Sequence, residues 1–354
     1  MNTKRAFTLV EILVVIAIVG MLALLVTAAV AGAMRASKRA AIAKEMNEIS
    51  MAIEHYKAEI GEYPPDMYDD EALVRHVKKR FPRWDWKMTE SLLNESSIPF
   101  PPGYGGWTTQ EQQAWVIKRA ISFTYGNGVN FTRSPHPHAL GALPLWLGGF
   151  PNADGEFSGF YADPECPFIR SPNNNGALDN KVFYTMQLGK NAQMIPTGLD
   201  DRIGQGTPGG DPPTPPGTIG GTPRDLVPAI GVEIRGQFLP FQYFRGRTSG
   251  GDDAYKANGV IKQCYLVLET PNEVSWGVPY AESVDTTDVV KWKNPTTYQL
   301  IHPGLDGKFS PLTGKGQSTP PALRVINTGK NITQEDLDNL TNFSDGKELK
   351  SILP

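Results

Sequence analysis

MNTKRAFTLVEILVVIAIVGMLALLVTAAVAGAMR, residues 1–35, decides how this chain is read. Lys4 and Arg5 make a short basic leader, Glu11 carries one negative charge, and residues 12–34 then run for 23 positions without a charge. As a helix rising ~1.5 Å per residue, that run is about 34 Å long, enough to cross a hydrocarbon core of ~30 Å. A carboxylate at the centre of a membrane helix costs about 2.5–3.5 kcal/mol, so one placed at the edge of such a run implies a partner and a role. The alternative is a secretory signal peptide, with Ala28-Ala29-Val30-Ala31 imitating its cleavage site. The apolar region of such a peptide is only ~7–15 residues long, shorter than the run here.

The helical pattern does not stop at the end of the apolar run. RASKRAAIAKEMNEISMAIEHYKAEIG, residues 35–61, holds no Pro and no Gly before Gly61. Ile42, Met46, Ile49, Ile53 and Tyr56 recur at three- and four-residue spacing, which is one stripe of a helix. The spacing predicts one continuous helix over residues 7–60, about 80 Å long. Its membrane half is 12–34 and its amphipathic half 35–60. Gly61 is the stop, with Pro64-Pro65 just beyond. Lys4 and Arg5 precede the apolar run while Arg35, Lys38 and Arg39 follow it, so basic residues alone leave its orientation ambiguous.

The rest, residues 62–354, is expected to be an exported head. The whole chain has 354 residues and a net charge of −3, which gives no basic footprint for nucleic acid. Its 36 Gly and 30 Pro predict many loops, most of all at 204–224 (GQGTPGGDPPTPPGTIGGTPR). Helices are expected at 70–80, 109–122 and within 139–152, the last ended by Gly148-Gly149. Strands are expected at 181–187, 236–244, 259–270 and 297–302. Short strands following a long helix in sequence imply an α+β fold: the N-terminal helix packed on a small antiparallel sheet, with large loop-rich insertions. Cys166 and Cys264 form either one disulfide or two free thiols. His136-Pro137-His138 has no third metal ligand nearby and reads as a surface loop. No P-loop, nucleophile elbow or dinucleotide fingerprint is present, so an enzyme is disfavoured.

Phe7-Thr8-Leu9-Val10-Glu11, behind a basic leader and ahead of an unbroken apolar helix, resembles the N-terminus of type IV pilin-like proteins. The resemblance implies cleavage by a prepilin peptidase after Ala6 and methylation of the new Phe7 amine. It also implies assembly into a filament in which Glu11 pairs with that amine on a neighbouring subunit. The family usually has Gly at the position of Ala6; Ala is the next smallest side chain and suits a pocket for small residues. AIEHYKAEIGEYPPD, residues 52–66, resembles the helix end of type II secretion pseudopilins. Residues 298–309 (YQLIHPGLDGKF) and 335–343 (EDLDNLTNF) are similar to the last strand and calcium-binding segments of the major pseudopilin. That likeness implies a calcium loop within 303–343, with Asp306, Asp336 and Asp338 as carboxylate ligands. Here about 27 residues separate the two pieces, where the family has a few. Calcium prefers such hard oxygen ligands.

The implied partners are other copies of the chain, other pseudopilins, prepilin peptidase and an inner-membrane assembly platform. The implied location is the bacterial inner membrane, N-terminus in the cytoplasm and head outside. Two other readings compete. One is a membrane-anchored protein that binds carbohydrate or a secreted substrate, with Trp84, Trp86, Trp107, Trp115 and Trp146 as candidate surface aromatics. The other is an anchored hydrolase.

Overall fold

The computed structural model describes residues 9–96, 100, 103–125, 140–196, 226–257, 260–262, 264–267, 274–309 and 323–354. The expected loop at 204–224 and the pair His136 and His138 lie outside these residues.

One helix, α1 (Leu9–Ile60), carries both halves of the expected element. Its most apolar 18-residue window has a mean hydropathy of 3.1 and buries nothing, so by length and composition the helix can cross a membrane. The predicted stripe does the opposite: Ile42, Met46, Ile49, Ile53 and Tyr56 are each at most 1% exposed. These five side chains form the edge of the main core, and the head begins where they begin. Gly61 ends the helix at φ +85° with its N–H on the Lys57 carbonyl, a left-handed stop that a Cβ would strain.

Among the described residues four further α-helices follow: α2 (Asp70–Arg80), α3 (Trp86–Glu95), α4 (Thr109–Tyr125) and α5 (Ala142–Gly148). Their starts are set by side-chain caps. Asp69 accepts from the Ala72 N–H, and Asp85 from the N–H groups of Lys87 and Met88. Thr108 and Glu111 form a reciprocal capping box at the start of α4. Every residue of α5 is buried, and its last turn meets a backbone: a Cβ on Gly149 would lie 2.0 Å from the Gly159 carbonyl oxygen. Gly148-Gly149 is therefore a close chain approach as well as a cap. Trp84, Trp115 and Trp146 are buried, and Trp86 and Trp107 are packed against the core. The tryptophans are packing groups before they are surface groups.

The strands are short: β1 (Ala192–Pro196), β2 (Leu226–Ile234), β3 (Gln237–Pro240), β4 (Gln242–Arg245), β5 (Lys256–Ala257), β6 (Val260–Ile261), β7 (Cys264–Val267), β8 (Val274–Gly277), β9 (Tyr280–Val284), β10 (Val290–Trp292), β11 (Tyr298–His302), β12 (Arg324–Val325) and β13 (Leu340–Thr341). They form three-stranded sheets in the orders β1-β2-β3, β10-β9-β12 and β13-β11-β4, with the pairs β5-β6 and β7-β8. All of these pairings are antiparallel except β12 on β9. The fold is α+β, with several small sheets where one was expected. The β13-β11-β4 sheet lies against the lower part of α1, where Tyr63 and Tyr298 meet edge to face with ring centres 5.3 Å apart.

Three expected strands differ from what forms; within 259–270 the described residues divide into β6, paired with β5, and β7, paired with β8. Residues 236–244 divide into β3 and β4 at Phe241, and β3 turns back on β2 through Arg235-Gly236, both at positive φ, the geometry of a tight hairpin. Residues 181–187 form no ladder beyond a bridge of Gln187 to Glu156. Their aromatic residues instead clamp α1: Phe183 tilts onto Tyr56 with ring centres 4.8 Å apart, and the Tyr184 hydroxyl donates to Glu45.

Candidate functional site

Ala6 and Phe7, the expected processing residues, lie outside the described residues. Glu11 sits exposed in the first turn of α1, where the positive end of the helix dipole favours a carboxylate. From there to Met34 the described side chains of α1 are exposed, so this stretch is available to lipid or to other helices.

The foot of α1 is tied to the head by a buried polar chain. The Tyr56 hydroxyl donates to His76 Nε2 at 2.5 Å, and His76 Nδ1–H donates to Glu62 Oε1 at 2.9 Å. Arg245 reaches the other Glu62 oxygen at 3.0 Å. Next to it, Asp66 Oδ2 accepts from the Arg245 N–H at 2.8 Å and from Lys262 Nζ at 2.7 Å. Burial lowers the His76 pKa to about 4, so the imidazole is neutral at pH 7. Burial alone would raise the Glu62 carboxyl, but the bonds from His76 and Arg245 outweigh it and hold it at about 2. Tyr56 is pushed up by burial to about 12. Tyr, His and Glu in line resemble a proton relay, yet His76 is enclosed, with Trp146 edge-on to its ring at 4.8 Å. The chain locks α1, α2 and β4 together. Nothing in the sequence pattern marks His76, which sits in a lysine-rich helix 20 residues from Tyr56.

The C-terminal loop brings together two of the three expected calcium ligands. Asp338 Oδ2 accepts from the Leu305 N–H at 2.7 Å and from the Asp306 N–H at 3.2 Å. Gly304, at φ +69°, makes room for this: a Cβ there would lie 2.4 Å from Asp338 Oδ1. Burial, with Asp338 alongside, pushes Asp306 up to about 6, and burial also raises Asp338. Asp338 Oδ1 is shielded from solvent without a hydrogen-bond partner. Two carboxylates side by side with an open oxygen make a donor pair suited to a hard cation.

Asp336, the third expected ligand, lies apart from that pair. It is fully buried, its Oδ2 lies 3.3 Å from Arg324 Nε, and it also accepts from the Thr333 N–H and from Asn339 Nδ2. The long insertion before Glu335 contributes β12, and with it the cation that occupies Asp336. Among the described residues no group of three or more His, Cys, Asp or Glu is placed to hold a metal. Cys166 is a free, buried thiol in the helical part, 3.8 Å from the Thr89 hydroxyl, and burial pushes its pKa to about 11. The side chain of Cys264 lies outside the described residues.

No curated protein and no solved structure matches the chain. Residues 1–27 match the family model of the prokaryotic N-terminal methylation motif. That match covers the leader, the Phe7–Glu11 segment and the first turns of the bare apolar helix in a single register. Such a motif marks a precursor that prepilin peptidase processes and that assembles in pilin-type filaments. The chain carries the N-terminal segment of a type IV pilin-like protein.

Proposed function

We propose that the chain is a structural subunit of a type II secretion pseudopilus, with no catalytic role of its own. The observation that carries this reading is the methylation motif set in register on a 52-residue helix whose first half is bare and whose second half is the spine of a head. Cleavage after Ala6 leaves Phe7 as the new N-terminus, and the helix stands in the inner membrane with its head on the exported side. Assembly uses the bare half of α1, with Glu11 pairing with the methylated Phe7 amine of a neighbouring copy. In a setting of low dielectric, leaving one member of such a pair alone costs about 3–5 kcal/mol, so the pair fixes the register between subunits. Other pseudopilins and an assembly platform in the membrane are the remaining partners.

The test is Glu11→Leu. The variant inserts into the membrane and is cleaved, but does not enter filaments. Normal incorporation would remove Glu11 from the assembly step.

The secretion branch, as opposed to an adhesive or competence pilus, rests on the C-terminal loop. Asp306 and Asp338 are the carboxylate pair proposed for a calcium ion; that Asp338 accepts from the Asp306 N–H and that Arg324 holds Asp336 support the choice. The ion would neutralise the repulsion between the two carboxylates and tie the turn after β11 to the loop before β13.

A further inference from the structure

Cations from opposite ends of the sequence meet where the apolar half of α1 stops. Arg35, Lys38 and Arg39 follow Met34 on the helix itself. The C-terminal segment brings Lys347 and Lys350 to the same level. Glu348, nearly buried, pairs with Arg39 on one side and with Lys350 at 2.5 Å on the other. Gly346 lies so close to the helix that a Cβ there would be 3.0 Å from the Cβ of Ala43. Five cations thus form a partial ring on one side of the helix, against two carboxylates, Glu348 and the exposed Asp345. Glu348 is already engaged twice. Arg35, Lys38 and Lys347 have no anionic partner among the described residues.

The height of this ring matters. From Met34 to Ala43 the helix rises about 13 Å. The polar layer on each side of a hydrocarbon core is ~5–8 Å thick, and Lys and Arg stems extend several ångströms further. With residues 12–34 in the bilayer, the ring therefore stands at the phosphates of the leaflet on the head side. Basic residues on this side of a span work against the usual bias of orientation, so they call for a reason of their own.

We propose that this ring binds the phosphates of anionic phospholipids and seats the head on the membrane surface while the subunit resides there. Guanidinium groups take phosphate oxygens in pairs, and the unpartnered lysines add point charges. Lys347 and Lys350 make this more than a helix boundary: through Glu348 and Arg39 the head itself is fastened to the lipid-facing level. The inference rests on α1 spanning a membrane and not on the filament reading.

The experiment uses the full chain in lipid nanodiscs, with a donor dye at the exposed Ser351 and an acceptor on lipid headgroups. Energy transfer is measured in discs of phosphatidylglycerol with phosphatidylcholine and in discs of phosphatidylcholine alone. The expected result is stronger transfer in the anionic discs, falling to the neutral-disc level at high salt and in the double variant Lys38→Glu, Lys347→Glu. Neither lysine takes part in an ion pair of the fold, so the variant retains its melting transition. Equal transfer in both lipids overturns the proposal. So does an anionic-lipid effect that the double variant leaves intact. Should the variant fail to fold, the wild-type comparison of lipid and salt decides alone.

Discussion

Arg324 and Asp336 form an ion pair that is almost wholly enclosed, 3% and 0% exposed, with Nε 3.3 Å from Oδ2. The pair joins β12 to the segment that carries the Asp-x-Asp motif, and it separates that motif's two carboxylates into different roles. Asp336 holds the fold together. Asp338, two residues on, turns to the Gly304–Asp306 turn instead.

Removing one member of that pair leaves an uncompensated buried charge. Arg324→Ala is expected to cost about 3–5 kcal/mol of head stability, read as a lowered denaturation midpoint for the full chain in detergent. Calcium separates the two aspartates further. If the pair holds an ion, added calcium is expected to raise the melting temperature of the wild type, and chelator to reverse the shift. Asp338→Asn abolishes the shift, whereas Asp336→Asn lowers stability yet retains it. Loss of the shift in both variants to the same degree would return Asp336 to the ion.

The Tyr56–His76–Glu62 chain predicts acid sensitivity. His76 titrates near 4 when folded against about 6.5 when unfolded, so at intermediate pH the unfolded chain binds the extra proton. Its contribution is full above pH ~6.5 and is lost as pH falls towards 4; its size is on the order of 3 kcal/mol. Glu62, held at about 2, loses its contribution lower still, below its ordinary carboxylate range. Asp306 has the opposite sign: its raised pKa, about 6, favours the folded state in acid and is lost as pH rises through that value. Denaturation curves between pH 7 and 4 test this. His76→Gln is expected to be less stable at pH 7 and to flatten the fall between 6.5 and 4. An unchanged slope would mean that His76 is not buried neutral.

The two halves of α1 should respond differently to the same change. Ile53 is fully buried under the head and Ile18 is 54% exposed. Ile53→Ala is expected to cost about 2–5 kcal/mol of head stability and Ile18→Ala close to nothing. Equal effects would contradict the division of the helix into a bare half and a spine.

Sequence pattern carried α1 well because helical periodicity is local: Ile42 to Tyr56 mark their buried face without knowledge of what covers it. The short strands were less legible. Phe183 and Tyr184 sit in a strand-like run, but they pack on residues of a helix 127 and 139 positions earlier in the chain, and no local rule announces that. Phe241 interrupts a run that looks continuous. The α3 helix, with only Thr89 and Leu93 buried, has too narrow an apolar face to stand out. At the C-terminal loop, Asp338 meets Asp306 through the Asp306 N–H. Asp336 does not, because its partner Arg324 comes from an insertion whose path is set by the pairing of β12 with β9. His76 is invisible for the same reason: its partners Tyr56 and Glu62 lie on and just after α1, and only the packed structure brings them to α2.

The central claim is that residues 1–6 are removed and that Phe7 becomes a methylated N-terminus. The direct measurement is the intact mass and N-terminal peptide mass of the mature protein from membranes of cells that express a prepilin peptidase. The expected species begins at Phe7 and carries one added methyl group on its amine. A mature chain that retains Met1 to Ala6, or one that begins just after Ala31, would contradict the account.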